Sequence, residues 1–246
     1  MTPTDASAVF EATVEGGVCR LTRPETRWLS TGFDGGERRA DAAYNVTVEE
    51  GFDRTDLAAY AAERRAAAGF EERGPTLLTG VAQRHARRAR LGPVEAVATA
   101  GLSNPASLPV PASGEEFESA DATDATERPR IGTVNLVVGT TRSLAPGGLE
   151  TLLAVAVEAK AATLLERTGF PGTTSDAAVV ACDPGGDRTP FAGSATEVGR
   201  AARVCVRDAL LAALDSRYAD ERIPESVAAA DHGVVAEGRA TVSSLE

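Results

Sequence analysis

The chain has 246 residues, 43% of them hydrophobic and only 4% aromatic, so a core is available but must be built mainly from Ala, Val and Leu. A net charge of −11 repels phosphate backbones and argues against nucleic-acid binding. No run of about 18 apolar residues offers a membrane span, and Cys19, Cys182, Cys205, His85 and His232 are too scattered for a disulfide framework or a His/Cys metal cluster.

Residues 9–14 and 18–22 read as strands around Gly16-Gly17, a hairpin signal. Residues 27–31 and 42–48 read as two more, separated by the glycine-rich turn 32–36. Residues 53–68 read as a helix with Asp53 as N-cap and Gly69 as stop. A short strand at 76–80 precedes a basic helix around 83–90, with His85 on its exposed face, and 94–102 is a strong strand. Residues 111–129 are polar, acidic and aperiodic, the pattern of a solvated and dispensable surface insertion. Residues 131–139 give the clearest strand and 147–167 the clearest helix. A strand at 176–182 and a long helix at 194–218 follow.

Strands cluster early and then alternate with helices. This predicts an α+β fold: a mixed sheet with N-terminal antiparallel strands and packed helices, of which a layered αβ sandwich is one form. One domain over 1–225 is expected, carrying the 111–129 insertion and followed by a weakly patterned tail, 226–246. The N-terminus has neither a basic start nor an apolar stretch, so a cytoplasmic protein is expected. The oligomeric state is open, a homo-oligomer included. Of the 25 basic residues only Lys160 is lysine. With the acidic excess, this composition points to salt adaptation, so stability should rise as salt screens the carboxylates.

Lys160 is the most informative single residue. It lies about 20° from Leu153 and about 40° from Leu164 on a helical wheel, in the middle of the apolar stripe Leu149, Leu153, Ala156 and Leu164. An ammonium there needs a partner, and can act near a reacting amide or as a base. Glu158 lies on another face of the helix and is a weaker catalytic candidate. In the strand, Thr133 and Asn135 share one face with Val137, while Val134, Leu136 and Val138 form the core face. Asn45 repeats the pattern, and Thr99, Ser103 and Asn104 lie on or just beyond a further strand. The run Gly172-Thr173-Thr174-Ser175-Asp176 can offer backbone N–H groups to an oxyanion, and Asp176 can orient a hydroxyl, a water or Lys160. Ser30 is a candidate nucleophile with Thr31 beside it, although no GxSxG elbow or histidine triad supports either. Gly35-Gly36 belong to no nucleotide-binding loop.

Taken in order, six stretches resemble the adenosylcobinamide amidohydrolase family. They are Leu29-Ser30-Thr31 running to Gly35-Gly36, Ala98 to Asn104, Gly132 to Val138, Glu158 to Ala162, Gly172 to Asp176 with Ala177 and Val180, and Phe191-Ala192-Gly193 with Thr196 and Gly199. One departure is Phe33-Asp34, where the family pattern has an aromatic residue and Asn. The resemblance implies hydrolysis of the amide joining aminopropanol to the corrin ring. It gives adenosylcobyric acid and 1-aminopropan-2-ol, in salvage toward coenzyme B12. The expected catalytic set is Lys160, Asp176, Glu158 and Ser30. The expected substrate-binding set is Thr31, Gly35, Gly36, Asn45, Thr99, Ser103, Asn104, Thr133, Asn135, Thr173, Thr174 and Ser175. A corrinoid is expected as substrate, with no cofactor and no bound transition metal. A corrinoid carrier that does not hydrolyse is the alternative. A ligase would need an ATP site, and none is visible.

Overall fold

A computed structural model describes residues 8–110 and 132–245. In chain order the elements are β1 (Glu11–Glu15), β2 (Val18–Ser30), β3 (Gly36–Thr47), α1 (Leu57–Ala67), β4 (Thr76–Thr79), β5 (Arg87–Leu91), β6 (Val94–Ala100) and β7 (Pro105–Ser107). Then come β8 (Val134–Thr140), β9 (Ser143–Leu144), α2 (Gly148–Thr168), β10 (Gly172–Thr173), β11 (Ala177–Cys182), β12 (Arg188–Thr189), α3 (Glu197–Arg217) and β13 (Val234–Val235). The architecture is α+β, as the element pattern predicts. The acidic stretch 111–129 lies outside the described residues.

The main sheet is mixed and has eight strands, ordered β4-β3-β2-β11-β8-β6-β5 with β1 also on β2. The pairs β3·β4 and β8·β11 are parallel; the other pairs in this sheet are antiparallel. Gly16 and Gly17, both at positive φ, make the β1–β2 turn. The two short strands expected at 18–22 and 27–31 are one long strand, β2, with an irregularity between Thr22 and Thr26. Along one edge its first half pairs with β1 and its second half with β11, while β3 pairs along the other edge.

Strand alternation separates two faces. Val94, Ala96, Ala98, Ala100, Val134, Leu136, Val138, Ala178 and Val180 pack under α2 and α3. Small alanines on β6 let α3 lie close to the sheet. The opposite face carries Val97, Val137 and Val179 with Phe10 and Trp28, whose rings stack at 5.4 Å. This face is concave. Asn45 on β3 donates to Thr99 on β6 across 3.0 Å, although β2, β11 and β8 lie between those strands in the sheet order.

Three local expectations need correction. The basic segment 83–90 is no helix: Gln83–His85 is a single 3-10 turn and Arg87–Leu91 is a strand on β6. Gly92, at φ 52°, turns that strand back as a hairpin, and the alternation of β5 puts Arg88 and Arg90 against buried Glu95. The helix expected from residue 53 begins at Leu57, with Asp56 rather than Asp53 in the N-cap position. Lys160 borders the buried stripe of α2 instead of centring it; that stripe runs through Leu149, Leu152, Ala156, Ala159 and Leu164.

All three thiols are buried and unpaired. Burial pushes Cys19 up from the usual 9.0 to about 11, only partly opposed by Arg88, and pushes Cys205 to about 12. A thiol whose folded pKa lies above its unfolded value stabilises the fold fully below the unfolded value. That contribution is lost as pH rises through the folded value. Denaturant midpoints are therefore expected to fall between pH 9.0 and about 11, and a disulfide reagent at neutral pH should label no cysteine until the protein unfolds. Rapid labelling of the native protein would contradict this.

Candidate active site

Parallel pairing of β8 with β11 places their N-terminal ends side by side, with Ala177 opposite Asn135. Thr133, just before β8, and Ser175, two residues before β11, meet there: their hydroxyl oxygens are 2.9 Å apart. The Ser175 hydroxyl donates to the Gly132 carbonyl at 2.8 Å and accepts from the Asn104 amide at 3.3 Å. The Asn104 amide also donates to the Thr174 hydroxyl at 2.6 Å, and the Thr174 N–H donates to the Asn104 carbonyl at 3.1 Å. The glycine-rich turn and the end of β6 are thus bound into one polar cluster.

A cleft of about 620 Å³ opens over this cluster on the concave face of the sheet. Gly32 and Phe33 form one wall. Val48, Phe52 and Leu57 form another, with Leu77, Leu78, Thr79 and Gly80 between them, while Thr133, Ser175 and Ala177 form the floor. Beside the floor, the Asn135 amide donates to Asn45 Oδ1 at 2.8 Å and to the Leu78 carbonyl at 2.9 Å. Asn45, Thr99 and Asn135 therefore act as a buried brace that fixes one cleft wall. The Oδ1 atoms of Asn104 and Asn135 are buried and accept no hydrogen bond among the described residues.

Lys160 does pair with Asp176. The alternation of β11 puts this pair behind the floor: Ala177 lines the cleft, whereas Ala178 belongs to the core under the helices. Asp176 accepts further bonds from the Val134 N–H at 3.0 Å, the Thr173 N–H at 3.1 Å and the Thr173 hydroxyl. One carboxylate therefore ties the start of β8 to the 172–176 turn, and the ammonium of α2 neutralises it. A Cβ at Gly172 would stand 2.4 Å from Asp176 Oδ2 and 2.8 Å from Lys160 Nζ, so a side chain there would have to displace the ion pair.

The remaining candidates fall in three places. Ser30 is buried at the cleft rim, where its hydroxyl accepts from the Gly32 N–H at 3.1 Å. The Thr31 hydroxyl accepts from the Ala178 N–H at 2.9 Å, which joins the rim to β11, and Gly35 and Gly36 close the turn into β3. Glu158 is on the solvent side, 3.0 Å from Arg203 of α3, and is not brought to the cleft. Ser103 backs the polar cluster near Gly132. His85 bonds to the Ser216 hydroxyl at 3.1 Å, and burial with neighbouring Arg84 lowers its pKa.

Asp53 is the residue that sequence reasoning misplaced. It and Arg54 are the ionisable residues that line the cleft. Arg54 is held by Asp56 and Glu63, whereas no partner of Asp53 is found among the described residues. Its signal, Asp followed by Arg-Thr-Asp, reads equally well as a helix start, and the second Asp takes that position. Among the described residues no group of three or more His, Cys, Asp and Glu side chains gathers as a metal site would require. None of their helices is long and apolar enough to cross a membrane.

Comparison with known proteins gives concordant matches. The family model described as adenosylcobinamide amidohydrolase matches residues 2–222. A Halobacterium salinarum protein described as adenosylcobinamide amidohydrolase is 54% identical over 236 residues, covering 95% of this chain and 99% of that one. A Methanosarcina mazei protein of the same description is 29% identical over 199 residues, covering 77% and 90%.

Proposed function

Because the chain belongs to the adenosylcobinamide amidohydrolases, we propose that its cleft hydrolyses the amide between aminopropanol and the corrin ring of adenosylcobinamide. The products are adenosylcobyric acid and 1-aminopropan-2-ol, as corrinoid salvage requires. The observation that carries this reading is the apolar cleft ending on the Thr133–Ser175 hydroxyl pair. Phe33, Phe52, Leu57 and Leu77 suit the edge of a large macrocycle, and the floor suits one polar group at the end of an arm. The reading extends to a cytoplasmic enzyme. A net charge of −11 supports the absence of a nucleic-acid partner.

The chemistry follows from the lining residues. On substrate binding the Thr133 hydroxyl exchanges its bond to Ser175, and the Ser175 hydroxyl its bond to the Gly132 carbonyl, for bonds to the scissile carbonyl, and together they stabilise the developing oxyanion. Asp53 takes a proton from the attacking water and returns it to the leaving amine. Ser30 holds the Gly32 wall. Lys160 and Asp176 are positioning residues: they fix the two turns that present Thr133 and Ser175. Incubation with adenosylcobinamide, followed by mass analysis, tests the reading directly. Release of one aminopropanol per corrinoid is expected, and an unchanged corrinoid mass would overturn it.

The positioning role sets a separate expectation for Lys160. Lys160→Met keeps the length of the side chain, and Asp176 keeps its three other donors. The fold should survive, with kcat about tenfold lower and KM little changed. Asp176→Asn should also cost on the order of 3 kcal/mol of stability, because it strands a largely buried ammonium. Circular dichroism melts beside turnover check both variants, and wild-type turnover in a folded Asp176→Asn protein would remove the pair from the site.

A further inference from the structure

Residues after Arg222 lie beyond the stretch that the family model matches, yet they return to the site. β13 pairs in parallel with β7, Val234 opposite Ala106 and Val235 opposite Ser107. On its other edge β7 pairs with β10, Gly172 opposite Ala106 and Thr173 opposite Pro105. The small sheet β10-β7-β13 therefore connects this segment to the turn that carries Ser175.

We propose that residues 232–236 form a strap that positions the hydroxyl floor of the cleft, acting through β7 and Asn104; this rests on the hydrolase reading above. The reason lies in the hydrogen bonds of β7. It is three residues long and begins with Pro105, which has no N–H to donate. The strap supplies the outer edge: the His232 N–H donates to the Ser103 carbonyl at 2.9 Å, and the Ala236 N–H donates to the Ser107 carbonyl at 2.8 Å. These two bonds bracket Asn104, whose carbonyl holds the Thr174 N–H and whose side chain holds the Thr174 and Ser175 hydroxyls. Val234 and Val235 are 49% and 42% exposed, so the strap adds little apolar burial. What it contributes is backbone donors, and therefore alignment more than stability. Gly233 lets it lie flat, since a Cβ there would stand 2.4 Å from Val227 Cγ1 and 3.1 Å from the Pro105 carbonyl oxygen.

The test uses the full chain. Ala236→Pro removes the donor to Ser107, and Gly233→Val displaces the strap by steric contact with Val227 and the Pro105 carbonyl. His232→Ala and Ala236→Ser keep both N–H groups and serve as conservative controls. The first pair should lower kcat about tenfold with KM within about twofold, because the cleft walls come from other elements. The controls should match the wild type. Amide exchange of Thr174 should quicken about tenfold in the first pair, while Leu136 and Val138 in β8 keep their protection. Exchange reads the strap even if the intact chain leaves adenosylcobinamide unchanged, so failure of the strap and failure of the hydrolase reading are distinguishable. Unaltered kcat in both strap variants, or unaltered Thr174 exchange, would overturn the proposal.

Discussion

Asp53→Asn should lower kcat by about 1000-fold and leave KM within about threefold, inside the range of about 10²–10⁴ that general acid–base catalysis contributes. Water attack on a neutral amide releases a proton, and the amine must leave protonated. Of the two ionisable cleft residues, Arg54 is occupied by Asp56 and Glu63, which leaves Asp53. Asn preserves the shape of the side chain and removes its capacity to accept that proton. Helix α1 should be undisturbed, because Asp56 stands at its N-cap position. A second variant separates chemistry from structure. Asp53→Gly opens space at an exposed position, and added formate should restore part of its turnover by supplying the missing carboxylate. Turnover within about threefold of wild type in Asp53→Asn would remove Asp53 from the mechanism.

Ser175→Ala should lower kcat about 100-fold, the scale measured when one oxyanion donor is removed. The substitution also deletes the bond to the Gly132 carbonyl, for which a stability loss of about 1 kcal/mol is expected. Thr133→Val is nearly isosteric and should act in the same direction. The two hydroxyls touch each other at 2.9 Å, so they should behave as a unit. The double variant should then cost about as much as the worse single variant, and well short of the product of the two losses. Full additivity would show two independent donors. A folded Ser175→Ala protein that turns over normally would show that the amide is not bound at this floor.

Much of the polar floor is legible one residue at a time. Thr133 and Asn135 announce themselves by alternation, because two hydrogen-bonding side chains interrupt an apolar strand whose other face is core. Gly172 to Asp176 announces itself as a turn with hydroxyls. The same alternation misleads for Lys160. Its helix pattern shows that the ammonium meets the protein interior, but not on which side of the sheet. Asp176 and Ser175 are adjacent in the turn that leads into β11, and their side chains point to opposite sides of the sheet. One therefore belongs with Lys160 under the helices and the other with the cleft. Segment 83–90 fails for a different reason. Arginine and alanine favour helix locally, while the Gly92-Pro93 turn and the ion pairs of Arg88 and Arg90 with buried Glu95 favour a strand. The tertiary contacts prevail.

By itself the sequence determined the α+β class, the main strands and helices, the resemblance to one hydrolase family, and the polar side chains set into apolar strands. These are properties of period, turn chemistry and residue order, which local physics makes visible. Tertiary structure alone decided that Asp53 lines the cleft, that Lys160 and Asp176 stand behind its floor, and that residues 232–236 return to brace Asn104. Each depends on which strands become neighbours and how far the sheet curls. Those outcomes come from contacts between residues tens to more than a hundred positions apart, such as Asn45 with Asn135 and Ser103 with His232.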